Sequence, residues 1–119
     1  MSNGLIAYSI DWLAAILLHE MAHMLVAFPL GVRIKRVGIS WKGPYIVREQ
    51  GLPLANFFIA LAGPIMNLIL ALAYWESARQ FAIINLVLGA SNLLPFVPGG
   101  DGQHAMDALR KLWPAVKLT

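Results

Sequence analysis

The chain has 119 residues, of which 59% are hydrophobic and 13% charged, with a formal net charge of +3 and no cysteine. A single domain of that size has too little interior to hide so much apolar surface, and its charged share is about half that of an ordinary soluble protein, so a water-soluble fold is excluded and lipid contact is expected. Disulfides and thiolate metal sites are excluded as well, and the basic residues are laid out as membrane topology would place them, not as a nucleic-acid surface.

Residues 5–30 make the first predicted membrane span, since about 20 helical residues cross a bilayer, and Pro29 with Gly31 marks its end. Met1 to Gly4 carries no basic side chain, so a cleaved signal peptide is not expected. The ionisable side chains from Leu5 to Leu30 are Asp11, His19, Glu20 and His23. Asp11 lies near the outer end and reads as a solvated interfacial carboxylate, in preference to a partner for another polar group. The other three form a His-Glu-x-x-His motif. Four apart on a helix, His19 and His23 share a face and can offer two imidazole nitrogens to one metal, with Glu20 beside them. A catalytic zinc takes three protein ligands and keeps a fourth position for water, whose pKa falls to about 7, so that Glu20 can act as general base. A carboxylate at mid-membrane costs about 2.5–3.5 kcal/mol on insertion scales, which marks the cluster as a functional site; a polar contact gluing helices together would not need this order of residues. The expected chemistry is peptide-bond hydrolysis.

Residues 32–47 change period. Val32, Ile34, Val37, Ile39 and Trp41 alternate with polar or small residues, and Lys42-Gly43-Pro44 breaks the run before Tyr45-Ile46-Val47. Period two around a Gly-Pro break predicts a β-hairpin. A helical substrate hides its scissile amide in its own hydrogen bonds, and an exposed strand edge could hold the unwound peptide by β-augmentation.

A second span is expected at 52–75, interrupted at Gly63-Pro64. Asn56, Ala60, Gly63 and Asn67 fall four, three and four apart, one narrow stripe that permits close helix contact and aims amides inward. Gly63 and Asn56 read as packing residues; Asn67 reads either as a neighbour of the metal and substrate or as an interhelical hydrogen-bonder. A third, shorter span is expected at 81–98, with Asn85, Gly89 and Asn92 on one face. Pro95 and Pro98 break it and Gly99-Gly100 opens it, so that Asp101 emerges from irregular backbone, which is tolerated at membrane depth where it lines a cavity. Gly102 to Trp113 reads as an amphipathic helix closed by Arg110, Lys111 and Pro114.

Eight of the nine Lys and Arg residues fall in the hairpin region or the C-terminal tail, and only Arg79 lies in the opposite connection. With three spans these two regions share a side, and the positive-inside rule makes it cytoplasmic, leaving the N-terminus outside. The expected architecture is an all-α polytopic membrane protein: one domain over residues 1–119, three transmembrane helices, a small membrane-associated β-hairpin and a short C-terminal amphipathic helix.

Candidates for the third metal ligand are Asp101, His104 and Asp107. The Pro/Gly-rich approach from Asn92 to Gly100 can fold Asp101 back to the first helix, so Asp101 is preferred and His104 is the alternative. With His19-Glu20-Met21-Ala22-His23, Ala62-Gly63-Pro64-Ile65-Met66-Asn67, and Asn92-Leu93-Leu94-Pro95 leading to Asp101-Gly102, the chain resembles the site-2 protease family of intramembrane zinc metalloproteases over nearly its whole length. The resemblance implies zinc held by His19, His23 and Asp101, Glu20 as base, and Asn67 and Asn92 near the active site, where an amide could bind substrate backbone or the oxyanion. It also implies an embedded hairpin and cleavage of transmembrane substrates close to the cytoplasmic face. The family usually sets its Asp eight residues after this Asn and follows it with Gly-Gly, whereas here Asp101 is nine after Asn92 and precedes Gly102-Gln103. No attached domain and no fourth span is read in the chain, so a minimal three-helix core is expected.

The functional expectation is a zinc-dependent intramembrane endopeptidase whose partners are a transmembrane protein substrate and the bilayer; no nucleic acid is involved, and no oligomeric state follows. The alternatives are an inactive zinc-binding scaffold for transmembrane helices and a metal-translocating transporter fragment. A chain without cysteines or trafficking signals suits a prokaryotic inner membrane.

Overall fold

The computed structural model describes residues 2–41, 43–97 and 100–118. Lys42, Pro98 and Gly99, placed by the sequence reading in the hairpin turn and in the approach to Asp101, lie outside the described residues. The elements in order are α1 (Ser2–Ala27), β1 (Ile34–Ser40), β2 (Gly43–Arg48), α2 (Pro53–Ala73), α3 (Arg79–Asn92) and α4 (Asp101–Leu118).

The 26 residues of α1 extend about 39 Å, at about 1.5 Å per residue, enough to span a bilayer core. The helix ends at Ala27 because the chain turns there: Phe28 still bonds back to Met24, Gly31 adopts a left-handed φ of 72°, and the Val32 amide returns to the Ala27 carbonyl at 3.0 Å. The hairpin follows as a two-stranded antiparallel sheet pairing Val37 with Ile46 and Gly38 with Tyr45, and its register slips between Ile34 and Arg36, a bulge that re-aims the strand after α1. Gly43, at φ 115°, makes the turn into β2.

Pro53 sits in the first turn of α2, where its missing N–H is harmless, and the Asn56 side chain holds the chain's approach by bonding both the amide and the carbonyl of Gly51 at 2.9 Å. The interruption expected at Gly63-Pro64 is not there, since α2 runs unbroken from Pro53 to Ala73. Proline removes one backbone bond, and neighbouring helices make that tolerable; α3 packs straight over this turn, the Pro64 carbonyl lying 3.0 Å from where a Cβ on Gly89 would stand.

The third helix is shorter than the expected 81–98, because α3 stops at Asn92. The Leu93 amide is shared between the Gly89 and Ala90 carbonyls at 3.2 Å, and Pro95 has no N–H to carry the ladder on. Its 14 residues give about 21 Å, short of the roughly 30 Å of bilayer hydrocarbon. Among the described residues two helices are long and apolar enough to cross a membrane, Gly4–Ala27 and Pro53–Ala73. The observed architecture is therefore mostly helical, with two candidate spans and a small antiparallel sheet. The last helix is longer than expected, starting at Asp101 itself and passing Pro114.

The central element is α2, which packs against α1, α3 and α4. Many of the buried residues along these contacts are small, Ala15 and Ala22 on α1, Ala60 and Ala71 on α2, Ala82 on α3, Ala105 and Ala108 on α4, with Ile59 and Ile84 as larger exceptions. Many large apolar side chains point the other way, with Leu13, Leu17, Met21 and Leu25 exposed at four-residue spacing on α1. Small residues between helices and large apolar ones outside is the pattern of helices whose outer faces meet lipid. At the far end of the bundle Asp11 takes the less favoured of its two readings: it accepts a hydrogen bond from Gln80 at 3.0 Å, tying α1 to the start of α3.

Candidate metal centre

His19 and His23 are buried on the face of α1 that meets α2. Each ring is fixed from behind. His19 Nδ1 lies 2.6 Å from Asn67 Oδ1, and His23 Nδ1 lies 2.6 Å from the Ile59 carbonyl, both on α2. These oxygens can only accept, so each Nδ1 carries the ring proton and each Nε2 is left with a lone pair. The two Nε2 atoms are 3.2 Å apart, and Asp101 Oδ2 stands 2.6 Å from His19 Nε2 and 3.2 Å from His23 Nε2.

Three electron-pair donors aimed at one another need a positive charge between them. A proton on His19 would satisfy Asp101 alone and leave His23 facing the same carboxylate oxygen; a cation satisfies all three. Tetrahedral zinc with bonds of about 2.0–2.1 Å sets its ligand atoms roughly 3.3 Å apart. Two of the three separations meet that spacing, and the third closes on the carboxylate. With two imidazoles, one carboxylate and an outer acceptor on each imidazole, the donor set fits a catalytic zinc.

The space for the ion depends on a residue that the sequence reading assigned to packing. A Cβ on Gly63 would lie 2.5 Å from His23 Nε2 and 2.6 Å from His19 Nε2, so any side chain there would fill the cradle. The available signal was the stripe itself: Gly63 is four residues before Asn67 and one turn after Ile59, the two residues that hold the imidazoles.

Asp101 reaches the pair because α4 begins against the end of α3. The Cβ of any other residue at position 102 would overlap the Leu93 backbone, so Gly102 lets the first turn of α4 sit directly on the Leu93–Leu94 segment.

A cavity of about 490 Å³ opens beside these atoms. Glu20, His23 and Asp101 line one side, and Tyr45, Ile46, Val47 and Arg48 of β2 line another, with Asn56 and Ala60 of α2 and His104 of α4 between them. Glu20 thus shares the cavity with two of the three converging residues without belonging to their cluster. Arg48 is anchored by its bond to Asn56 Oδ1 at 3.1 Å; burial lowers its pKa, an effect opposed by the charge of Asp101.

The other candidates are placed differently. His104 is exposed on the cavity wall, and among the described residues His19, His23 and Asp101 are the group whose donor atoms converge. Asp107 is exposed and pairs with Arg110 at 3.6 Å. Asn67 is fully buried, with its carbonyl on His19 and its amide nitrogen on Ala15 O and Asn85 Oδ1. Asn92 donates back to the Leu88 carbonyl at 2.9 Å and is not among the residues lining the cavity. If the three convergent atoms are the ligands, Asp101→Asn lowers zinc affinity by more than the roughly 10- to 100-fold cost of losing an outer partner, and His104→Ala leaves it within a few-fold. Metal analysis of the two purified variants checks this; the reverse ranking would move the ligand to His104.

No family model matches the chain. It is 33% identical over 109 residues to Rip3 of Mycobacterium tuberculosis and 29% identical over 104 residues to sll0528 of Synechocystis, both provisionally named zinc metalloproteases. It is also 25% identical over 118 residues to the zinc metalloprotease MJ0392 of Methanocaldococcus jannaschii. These alignments cover 76%, 75% and 88% of the chain and 28%, 27% and 35% of the respective relatives. The chain thus spans about a quarter to a third of the length of the curated relatives it matches. Their names agree with the resemblance of its motifs to the site-2 protease family and with zinc as the metal.

Proposed function

From a chain related to zinc metalloproteases and carrying the motifs of the site-2 protease family, we infer a zinc-dependent endopeptidase that cuts transmembrane substrates within the bilayer, near its cytoplasmic face. The observation that carries the reading is the convergence of His19 Nε2, His23 Nε2 and Asp101 Oδ2 inside a bundle with lipid-type packing, with Glu20 on the adjoining cavity.

Zinc bound there supplies a Lewis acid that makes water acidic near neutral pH. The chain's own groups do the rest. Asn67 and the Ile59 carbonyl hold the imidazoles in the ligating tautomer. Glu20 takes a proton from the attacking water as its oxygen bonds to the scissile carbonyl carbon, and delivers that proton to the amide nitrogen as the C–N bond breaks. Part of the cavity lining is β2, whose backbone would pair with an unwound substrate segment and present its scissile bond to Glu20. Asn67 is a positioning residue in this scheme, since its amide is engaged by protein partners, while Asn92 would have to release Leu88 to reach a substrate oxyanion.

The same reading orients the chain. α1 and α2 cross the membrane, and α3 with Leu93–Val97 brings the backbone to the end of the bundle where the metal ligands and the hairpin lie. In the sequence, eight of nine Lys and Arg fall in the hairpin region or the C-terminal tail, so that end is taken as cytoplasmic, with the N-terminus outside, in a prokaryotic inner membrane. Large exposed Val37, Ile39 and Trp41 on one hairpin face would rest in the interface.

Reconstituted with a single-span reporter in liposomes, the protein is expected to cleave the reporter, to lose activity on chelation, and to regain it with zinc. Stoichiometric zinc with no cleavage of any transmembrane reporter would leave a binding scaffold in place of the protease, and zinc flux without cleavage would favour a transporter.

A further inference from the structure

A second buried amide lies behind the one that holds His19. Asn85, on α3, has no exposed surface, and the zinc chemistry does not use it directly. Its Nδ2 donates to the Phe81 carbonyl at 2.8 Å, one turn back on its own helix, which turns its Oδ1 towards α2. There Oδ1 accepts from Asn67 Nδ2 at 2.8 Å. The second hydrogen of Asn67 Nδ2 goes to the Ala15 carbonyl at a longer 3.3 Å. An amide carries its oxygen opposite its nitrogen, so once both hydrogens of Asn67 are placed, its Oδ1 must face His19.

We propose that Asn85 is a positioning residue of the metal centre: through Asn67 it fixes His19 in the tautomer whose Nε2 is free to bind zinc. The hydrogen bonds run in one direction, from His19 Nδ1–H to Asn67, from Asn67 to Asn85, and from Asn85 to Phe81. The last acceptor is a backbone carbonyl, which cannot donate, so the direction is set at the α3 end. Without Asn85 the shorter of the two bonds that orient Asn67 is gone. A rotated Asn67 amide would present N–H groups to His19 Nδ1, move the ring proton to Nε2, and block the lone pair that faces Asp101. The proposal rests on the zinc reading, and α3 is thereby coupled to a metal centre to which it contributes no ligand.

Asn85→Leu and Asn85→Asp separate this role from packing. Leucine keeps the volume and suits an apolar interior but accepts nothing; a buried aspartic acid can accept from Asn67 and, when protonated, also donate to Phe81. The expected result is zinc affinity about 10- to 100-fold weaker in Asn85→Leu, read by competition with a chromogenic chelator, and affinity within about threefold of wild type in Asn85→Asp, the acceptor for Asn67 being retained. Nitrogen-15 spectra of histidine-labelled, metal-free protein in micelles should show the proton on His19 Nδ1 in wild type and Asn85→Asp, and a mixture or the opposite tautomer in Asn85→Leu. Leucine tolerated as well as asparagine, or aspartate as harmful as leucine, would overturn the proposal. So would wild-type His19 protonated at Nε2, a result that requires no variant to fold. A wild-type protein that shows the Nδ1 tautomer but binds no zinc would sink the metal reading and leave the relay standing.

Discussion

Glu20→Gln is expected to lower reporter cleavage by about 10²- to 10⁴-fold, the usual worth of a general base, while zinc content stays at the wild-type value. The two side chains have the same shape, so the half-buried position beside His23 is filled in either case. The difference is chemical: a neutral amide cannot take a proton from water and cannot return one to the departing amine. The donor atoms that converge belong to His19, His23 and Asp101, and Glu20 is outside their cluster, so a metal held there would have no reason to leave. Measuring zinc and turnover on the same preparation separates the two quantities. Undiminished cleavage would end the base assignment, and loss of zinc together with activity would make Glu20 a support of the metal instead.

Several parts of this arrangement were open to reading in the sequence because they depend on local geometry. A spacing of four places two histidines on one helix face wherever the helix lies, and period two around Gly43-Pro44 leads to the observed pairing of β1 with β2. The parts that were not legible depend on what a neighbour does. Pro64 looks like a break in isolation, but α3 lies against that turn and the helix continues. The sequence expectation carries the third helix over 81–98, whereas backbone bonding closes it at Asn92, ahead of Pro95, and Asp101 opens α4. For Asn67 the sequence allows a metal-side or an interhelical role, and the structure gives it both kinds of partner at once, with His19 on one arm and Asn85 on the other. Hydropathy could not register Gly63, since the importance of a missing side chain shows only when another helix brings two imidazoles against it.

Gly63→Ala is the complementary test, because it acts on the space for the ion and leaves every ligand in place. In a helix interior alanine is favoured over glycine by about 0.8–1 kcal/mol, so local propensity predicts a more stable α2. The new methyl, however, would begin 2.5–2.6 Å from both Nε2 atoms, well inside contact distance. The rings cannot easily swing clear, being held by Asn67 and by the Ile59 carbonyl on the helix that carries the methyl. Forcing one methyl into a packed site costs about 1–3 kcal/mol, and if that falls on the metal-bound form it weakens zinc by about 5- to 150-fold, at about 1.4 kcal/mol per decade. Gly89→Ala is the control: its methyl would crowd Pro64 O and the Asn67 Cβ at 3.0 and 3.1 Å, straining the α2–α3 contact without entering the cradle. The expected contrast is a Gly63→Ala protein that keeps its helical content but loses zinc, beside a Gly89→Ala protein that keeps its zinc stoichiometry. Wild-type zinc affinity in Gly63→Ala would mean that the ion does not sit between the imidazoles and α2, and the geometry assigned to the centre would have to be withdrawn.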